Sequence, residues 1–244
     1  MKKWILAVLI VLTSTAAFAL PINDRLEPLD PGPGDGGELS VQQILDGITG
    51  GAIDAVEDQS NVAIWHPSDF AQSAFKVSYL TGSTGVFGIY SYSTGLEINL
   101  FEKTESGIDG NSGPQSATFL ITPDGSLVVN NDWTNPTAGF GSSFGFYWND
   151  GKTEDDKNQD NAIMALTYQL PVGTSIDLPI LQGITDDDND WIMAFGDQGS
   201  LIGDDFNDLV VLVQDIAATP EPGTLLLLGS GMLGMAYLRK RKKA

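Results

Sequence analysis

The sequence predicts an all-β protein: an antiparallel β-sandwich or jelly-roll-like domain with one short N-terminal helix. Three observations carry this. From Asn61 to Val213 apolar residues recur at every second position in short segments. Gly, Asp, Asn and Pro separate those segments, and these are the residues that make turns. Only one stretch has helical spacing, residues 40–51, "SVQQILDGITGG". Many short strands with polar turns bury their apolar faces by sheet stacking.

The helix comes first. Val41, Ile44, Leu45 and Ile48 share one face at helical spacing. Ser40 and Gln43 form a capping box at its start, and Gly50-Gly51 ends it. The strands follow. "SAFKVSYL" puts Phe75, Val77 and Tyr79 on one face, and "LEINLF" alternates Leu96, Ile98 and Leu100 with Glu97, Asn99 and Phe101. "ATFLITPDGSLVVN" reads as two strands around the turn Pro123-Asp124-Gly125. "FGFYW", "AIMALTYQL", "WIMAF" and "DLVVLV" complete the set. Phe144, Phe146 and Trp148 alternate, which is first of all core packing.

Both ends of the chain read as export signals. Residues 1–19 hold Lys2 and Lys3, an apolar stretch, and Ala17-Phe18-Ala19, a small-x-small cleavage site bounded by Ala17 and Ala19. That order is a secretory signal peptide. Residues 20–38 form a Pro/Gly-rich linker, residues 39–217 the sandwich domain, and residues 218–244 a C-terminal signal. This last part has Pro220-Glu221-Pro222, a 14-residue apolar run at 225–238 read as a hydrophobic helix, and a basic tail with Arg239, Lys240 and Arg241. The run is short against the roughly 20 residues that cross a bilayer. It suits transient holding at the inner membrane with the basic tail cytoplasmic. An ordinary tail anchor is the alternative. The three parts in order resemble the PEP-CTERM sorting signal. The resemblance implies recognition by an exosortase in a Gram-negative inner membrane, cleavage near the motif, and export to the cell surface or extracellular matrix.

Between residues 20 and 219 the basic residues are Arg25, Lys76, Lys103, Lys152 and Lys157. These five face 31 acidic residues, a formal charge of −26 against −20 for the whole chain. Such a charge opposes nucleic-acid binding and attracts cations. There is no cysteine, so no disulfide supports an exported fold. Stability has to come from the core or from ligands.

The acidity is densest at residues 203–213, "GDDFNDLVVLV". After Asp208 both faces of this segment are apolar, so the strand should be covered on both sides. Its acidic half then belongs to a loop that curls. No Lys, Arg or His occurs between Asn158 and Leu238 to neutralise it. Calcium takes six to eight oxygens from Asp, Asn and backbone carbonyls. Asp204, Asp205, Asn207 and Asp208, with Asp197 from the preceding strand end, form a candidate set. A solvated acidic loop is the alternative. Asp186, Asp188 and Asp190 sit at positions one, three and five of an EF-hand-like loop, but Trp191 stands where the turn needs Gly. They are a weaker candidate, a calcium-binding turn beside the first site. "EDDKNQDN", residues 154–161, reads as a solvated loop. With no cysteine and one histidine, a zinc or iron site is not expected.

A second resemblance spans residues 75–213. "VFGIYSYSTGLEINLF", "FGFYWND", "DNAIMALTY" and "WIMAFGD" leading to "GDDFNDLVVLV" are similar to domain of unknown function 4114, common in PEP-CTERM proteins. The chain departs from that family's pattern in two places: Gly196-Asp197 replaces a Glu-Asp pair, and Asn161 stands where His is common. The resemblance implies a fold, a location and suspected ligands, and no reaction.

Nothing in the sequence marks an active centre. Triad chemistry would have to use His66, beside Pro67. No phosphate-binding or dinucleotide fingerprint occurs. The expectation is a non-catalytic, calcium-stabilised sandwich of the matrix or surface. One alternative is a carbohydrate-binding module for exopolysaccharide, with Trp65, Trp133, Tyr147, Trp148 and Trp191 lining a sugar face. A second is a glycoside hydrolase using two carboxylates.

Overall fold

Strands with two apolar faces need a layer on each side, and the fold supplies three layers. A computed structural model describes residues 30–31, 38–60, 62–68, 72–79, 84–104, 115–149, 151–153, 165–178, 181–184, 189–196 and 206–219. All lie within Asn23–Thr219, which forms one compact unit. The expected signal peptide, most of the expected linker and the tail from residue 220 lie outside the described residues.

The central layer is a seven-stranded antiparallel sheet. Its order is β1 (Gln59–Ser60), β10 (Ala165–Gln169), β13 (Trp191–Phe195), β14 (Leu209–Gln214), β3 (Gln72–Tyr79), β6 (Ser116–Ile121) and β7 (Leu127–Val129). The second sheet runs β15 (Ile216–Ala218), β2 (Trp65–Pro67), β8 (Phe144–Trp148), β4 (Gly85–Ser91) and β5 (Glu97–Lys103), with β9 (Gly151–Lys152) paired to β8. The third layer is the helix α1 (Val41–Thr49) with the hairpin β11 (Ser175–Leu178) and β12 (Leu181–Ile184).

Between the sheets lies an aromatic core. Phe144, Phe146 and Trp148 point inward from β8, as their alternation predicts, and meet Trp191, Met193 and Phe195 of β13 and Leu209, Val211 and Val213 of β14. The rings interlock. Trp65 is 5.7 Å from both Phe146 and Trp191, Phe87 stacks on Phe146 at 5.7 Å, and Phe195 meets Phe87 edge-on at 5.9 Å. Offset and edge-to-face pairs of this kind contribute about 0.5–1.5 kcal/mol each beyond burial.

On the opposite face of the central sheet, Ile192 and Ala194 of β13 and Val210 and Leu212 of β14 meet Val41, Ile44, Leu45 and Ile48 of α1. The unbroken apolar run of β14 therefore has a physical reason, since each face is covered. The helix begins and ends as its sequence predicts. The Ser40 side chain accepts from the Gln43 backbone, Gln43 returns the bond to the Ser40 N–H, and Gly50 closes the end at φ 65°.

The alternation expected of "LEINLF" slips. A bulge in the β4–β5 pairing follows Phe87, which pairs with Phe101, while Gly88 pairs with Asn99. Leu100 is the extra residue, and it is buried in the core. Phe101 packs there as well, stacked on Phe87 at 4.9 Å, whereas Leu96 is exposed. A bulge flips one side chain relative to the strict period of two.

Candidate functional site

Phe206, Asn207 and Asp208 are the described residues that lead into β14. Phe206 adopts φ 49°, a left-handed conformation that is uncommon for an aromatic residue. Its ring reaches back into the helix-side cluster with Val210 and Leu212. Asn207 follows, fully buried at 0% exposure, and its Nδ2 donates to the Leu39 carbonyl at 2.8 Å. That bond ties the strand end to the segment leading into α1. The other half of the amide, Oδ1, is buried and has no hydrogen-bond partner among the described residues. An orphaned buried acceptor costs about 1–3 kcal/mol unless something else satisfies it. Asp208 is also buried, at 7% exposure. Two oxygen-bearing side chains thus sit inside the protein at the head of β14, one of them with an oxygen that no described residue satisfies.

Of the expected calcium set, Asn207 and Asp208 are described, and both are buried there. Asp197, Asp204 and Asp205 lie outside the described residues. Among the described residues no group of three or more His, Asp or Glu side chains converges.

Strand register places one residue of the weaker set. Asp186 and Asp188 lie outside the described residues. Asp190 is described, and it is buried immediately before β13. The antiparallel pairing sets Trp191 against Val213 and Phe195 against Leu209. Asp190 therefore sits at the far end of the ladder, where it accepts from Gln214 Nε2 at 3.1 Å. Asp208 lies at the near end. At about 3.3 Å per residue the ladder separates them by roughly 15–20 Å. Asp190 is thus distant from Asp208 and serves the far end of the β13–β14 ladder.

The expected sugar face also changes. Trp65, Trp148 and Trp191 are buried in the inter-sheet core. Tyr147 is buried on the outer face of the second sheet, where its hydroxyl donates to Asn99 Oδ1 at 2.8 Å. Of the five aromatics only Trp133 is exposed, at 55%. It stands in the loop between β7 and β8. His66 lies in β2 with Nδ1 3.0 Å from the Pro67 carbonyl oxygen. Residues 154–161 lie outside the described residues.

Two features escape sequence reasoning. Lys103 is 1% exposed and Lys76 is also buried, although lysines read as surface residues. Lys76 sits at a second bulge, where β3 shifts register against Val210 and Val211 of β14. The tyrosines Tyr90 and Tyr147 lie over glycines of the neighbouring strand. Gly145 is paired with Tyr90 and Gly88 with Tyr147, and a Cβ at either glycine would fall about 2.3–2.4 Å from the ring above it. The "GIY" of β4 and the "GFY" of β8 are the signal: each strand offers a glycine two residues before a tyrosine.

The comparisons with known proteins bear on the tail alone. No curated protein and no solved structure matches the chain. A family model described as the PEP-CTERM protein-sorting motif matches residues 218–242. A motif of this kind implies recognition by an exosortase, export, and a surface or extracellular location in bacteria.

Proposed function

We propose that this is a non-catalytic β-sandwich protein of the cell surface or extracellular matrix of a Gram-negative bacterium, held folded by calcium. It resides briefly at the inner membrane, is recognised through Pro220-Glu221-Pro222, and is released by an exosortase. Its sandwich is a relative of domain of unknown function 4114. The sorting motif supports the route, and the closing "GDDFNDLVVLV" run supports the kinship.

The calcium reading rests on one observation above the others: the buried Asn207 Oδ1 that no donor among the described residues satisfies. A hard cation favours an amide oxygen next to carboxylates. Asn207, Asp208, Asp204 and Asp205 would hold it, with Asp197 contributing from the other strand end. The charge balance favours the same ligand, since the chain carries 32 acidic residues and 12 basic ones.

Calcium binding to the folded state adds about 2.7 kcal/mol at one hundred times the dissociation constant. The full-length chain should melt higher in calcium than in chelator with sodium at matched ionic strength. Matching matters because salt alone screens repulsion in so acidic a protein. Asp205→Asn and Asp208→Asn should shrink the calcium response, and Asp155→Asn should leave it intact. Under a solvated-loop reading the first two substitutions relieve repulsion and are neutral or stabilising. Equal melting temperatures in calcium and chelator would remove the metal from the proposal and leave the sorting route standing.

A further inference from the structure

The loop that carries Trp133 is built to hold an indole in water. It spans the connection from β7 to β8 and is closed at its base by a reciprocal pair: Leu127 N–H to the Thr137 carbonyl at 2.9 Å, and Thr137 N–H to the Leu127 carbonyl at 2.8 Å. Asn130 and Asn131 take successive left-handed conformations, φ 50° and 59°. Asparagine tolerates that region better than other non-glycine residues. Asn130 Oδ1 also accepts from the Thr118 N–H at 3.0 Å, which ties the turn to β6. Asp132 then organises the tip. Its carboxylate accepts from the Thr134 N–H at 3.0 Å, the Thr134 hydroxyl at 2.5 Å and Asn135 Nδ2 at 3.2 Å. The Thr134 hydroxyl bond, with those from Asn135 and the Thr134 backbone, holds this carboxyl below the usual carboxylate range. The loop is thus fixed by its own polar groups, and the indole contributes nothing to the core.

Trp65, Trp148 and Trp191 show what this chain does with an indole it uses for packing: each is essentially fully buried. Trp133 is the opposite case, a large apolar surface held out on a shaped support. Beside it, the Asn131 side chain is exposed, which puts its amide within reach of a ligand on the indole.

We propose that the Trp133 loop binds a neutral polysaccharide, with the indole stacking on the apolar face of a pyranose ring and the Asn131 amide bonding its hydroxyls. An apolar platform flanked by a few placed polar groups is the chemistry that recognises a sugar. The area fits. Trp133 is 55% exposed, so it offers part of the roughly 150–250 Å² of a whole tryptophan side chain. A stable protein–protein contact buries about 1,200–2,000 Å² in all. Charge decides between glycans. The five basic residues within 20–219 face 31 acidic ones, so uronate polymers and anionic bilayers are repelled. The site is independent of calcium at the β14 loop and goes beyond the function proposed above.

The test is affinity electrophoresis of the full-length chain in neutral detergent. The gels contain a β-glucan, a galactomannan, a dextran or, as the anionic comparison, alginate. Wild type should be retarded in at least one neutral gel and not in alginate. Trp133→Ala should weaken that binding about tenfold or more, equivalent to about 1.4 kcal/mol for one stacked ring. Trp133→Phe should fall between the two. Val172→Ala, at an exposed apolar residue of another turn, should bind as wild type. Binding should also shift indole emission to the blue in wild type and not in Trp133→Ala. Passage of wild type through all three neutral gels without retardation overturns the proposal. So does wild-type affinity in Trp133→Ala, or retardation by alginate alone.

Discussion

The two sheets solve one problem in two ways. The outer face of the central sheet is buried by adding a layer, in which apolar side chains of α1 and β11 meet Ile192, Val210 and Leu212. Among the described residues the outer face of the second sheet gains no such layer of helix. It is closed by side chains lying down: Tyr90 and Tyr147 cover Gly145 and Gly88 across the β4–β8 pairing, with Ala63 and Ile64 beside them. Lys152 seals the edge, its Nζ 5.0 Å above the Tyr90 ring and 2.8 Å from Glu97. An acidic chain without disulfides gains stability where it can bury apolar area, and it does so at both faces. The first method spends extra chain and tolerates ordinary side chains beneath it. The second spends none and depends on two missing Cβ atoms.

The largest expected effect breaks the added layer. Leu45 is fully buried at the centre of the helix contact. Leu45→Ala should cost about 2–5 kcal/mol, read as a fall in the chemical-denaturation midpoint. A loss under about 1 kcal/mol would mean that α1 rests on the sheet without supporting it. The tyrosine lid should break next, through its glycines. At Gly88 a Cβ would lie 2.4 Å from the Tyr147 ring and 2.5 Å from the Ile98 carbonyl oxygen, and that backbone atom cannot move aside. At Gly145 the close atoms all belong to the Tyr90 side chain, which can shift. Both alanine substitutions should destabilise by about 1–3 kcal/mol, with Gly88→Ala the costlier. Equal or reversed losses would show that the rings, and not the backbone, set the cost.

A smaller effect tests how the added layer is fastened. Ser40→Ala removes one half of the capping box and should cost about 1 kcal/mol. Asn207→Ala removes the bond from β14 to the Leu39 carbonyl in the same region. The two should be more than additive in a double-mutant cycle, because both hold the start of α1 against the sheet. Simple additivity would separate the cap from the strand tether.

The two faces also differ in how far they can be read in the sequence. The helix was legible because a capping box, a period of 3.6 and a glycine stop agree within twelve residues. The coverage of β14 on both sides was legible from its unbroken apolar run. Trp148 and its neighbours announced the core by alternation. The tyrosine lid was not legible, since a glycine in a strand reads as a weak point until its cross-strand partner is known. The bulge at Leu100 was equally hidden, because one extra residue is visible only against the strand it faces. The sugar face failed for a related reason. Aromatic count does not tell inside from outside, whereas the neighbours of Trp133, all of them Asn, Asp, Thr or Pro, do. The separation of Asp190 from Asp208 required the register of β13 on β14, which no spacing along the chain supplies.

The smallest expected effect uses the tyrosine lid as its own probe. Burial, reinforced by the nearby Glu97 carboxylate, raises the Tyr147 phenol to about 12. In the unfolded chain a phenol titrates near 10. The folded state thus favours the neutral form, which donates to Asn99 and keeps the ring down on Gly88. A raised folded value gives a contribution fully present below about pH 10 and lost as pH climbs toward about 12. Tyr147→Phe keeps the ring over Gly88 and removes the proton. Wild type should be the more stable near neutral pH by the net value of one hydrogen bond, about 0.5–1.5 kcal/mol. That advantage should shrink through the window from about pH 10 to about pH 12. Lysines and other tyrosines titrate there too, so the quantity to follow is the difference between the two proteins, not either melting curve alone. Glu97→Gln should move the closing of the gap to lower pH, because it removes the neighbouring negative charge. A difference that stays constant from pH 8 to pH 12 would show that the phenol ionises as freely in the folded protein as in the unfolded one, and that the lid is held by its rings without the hydroxyl.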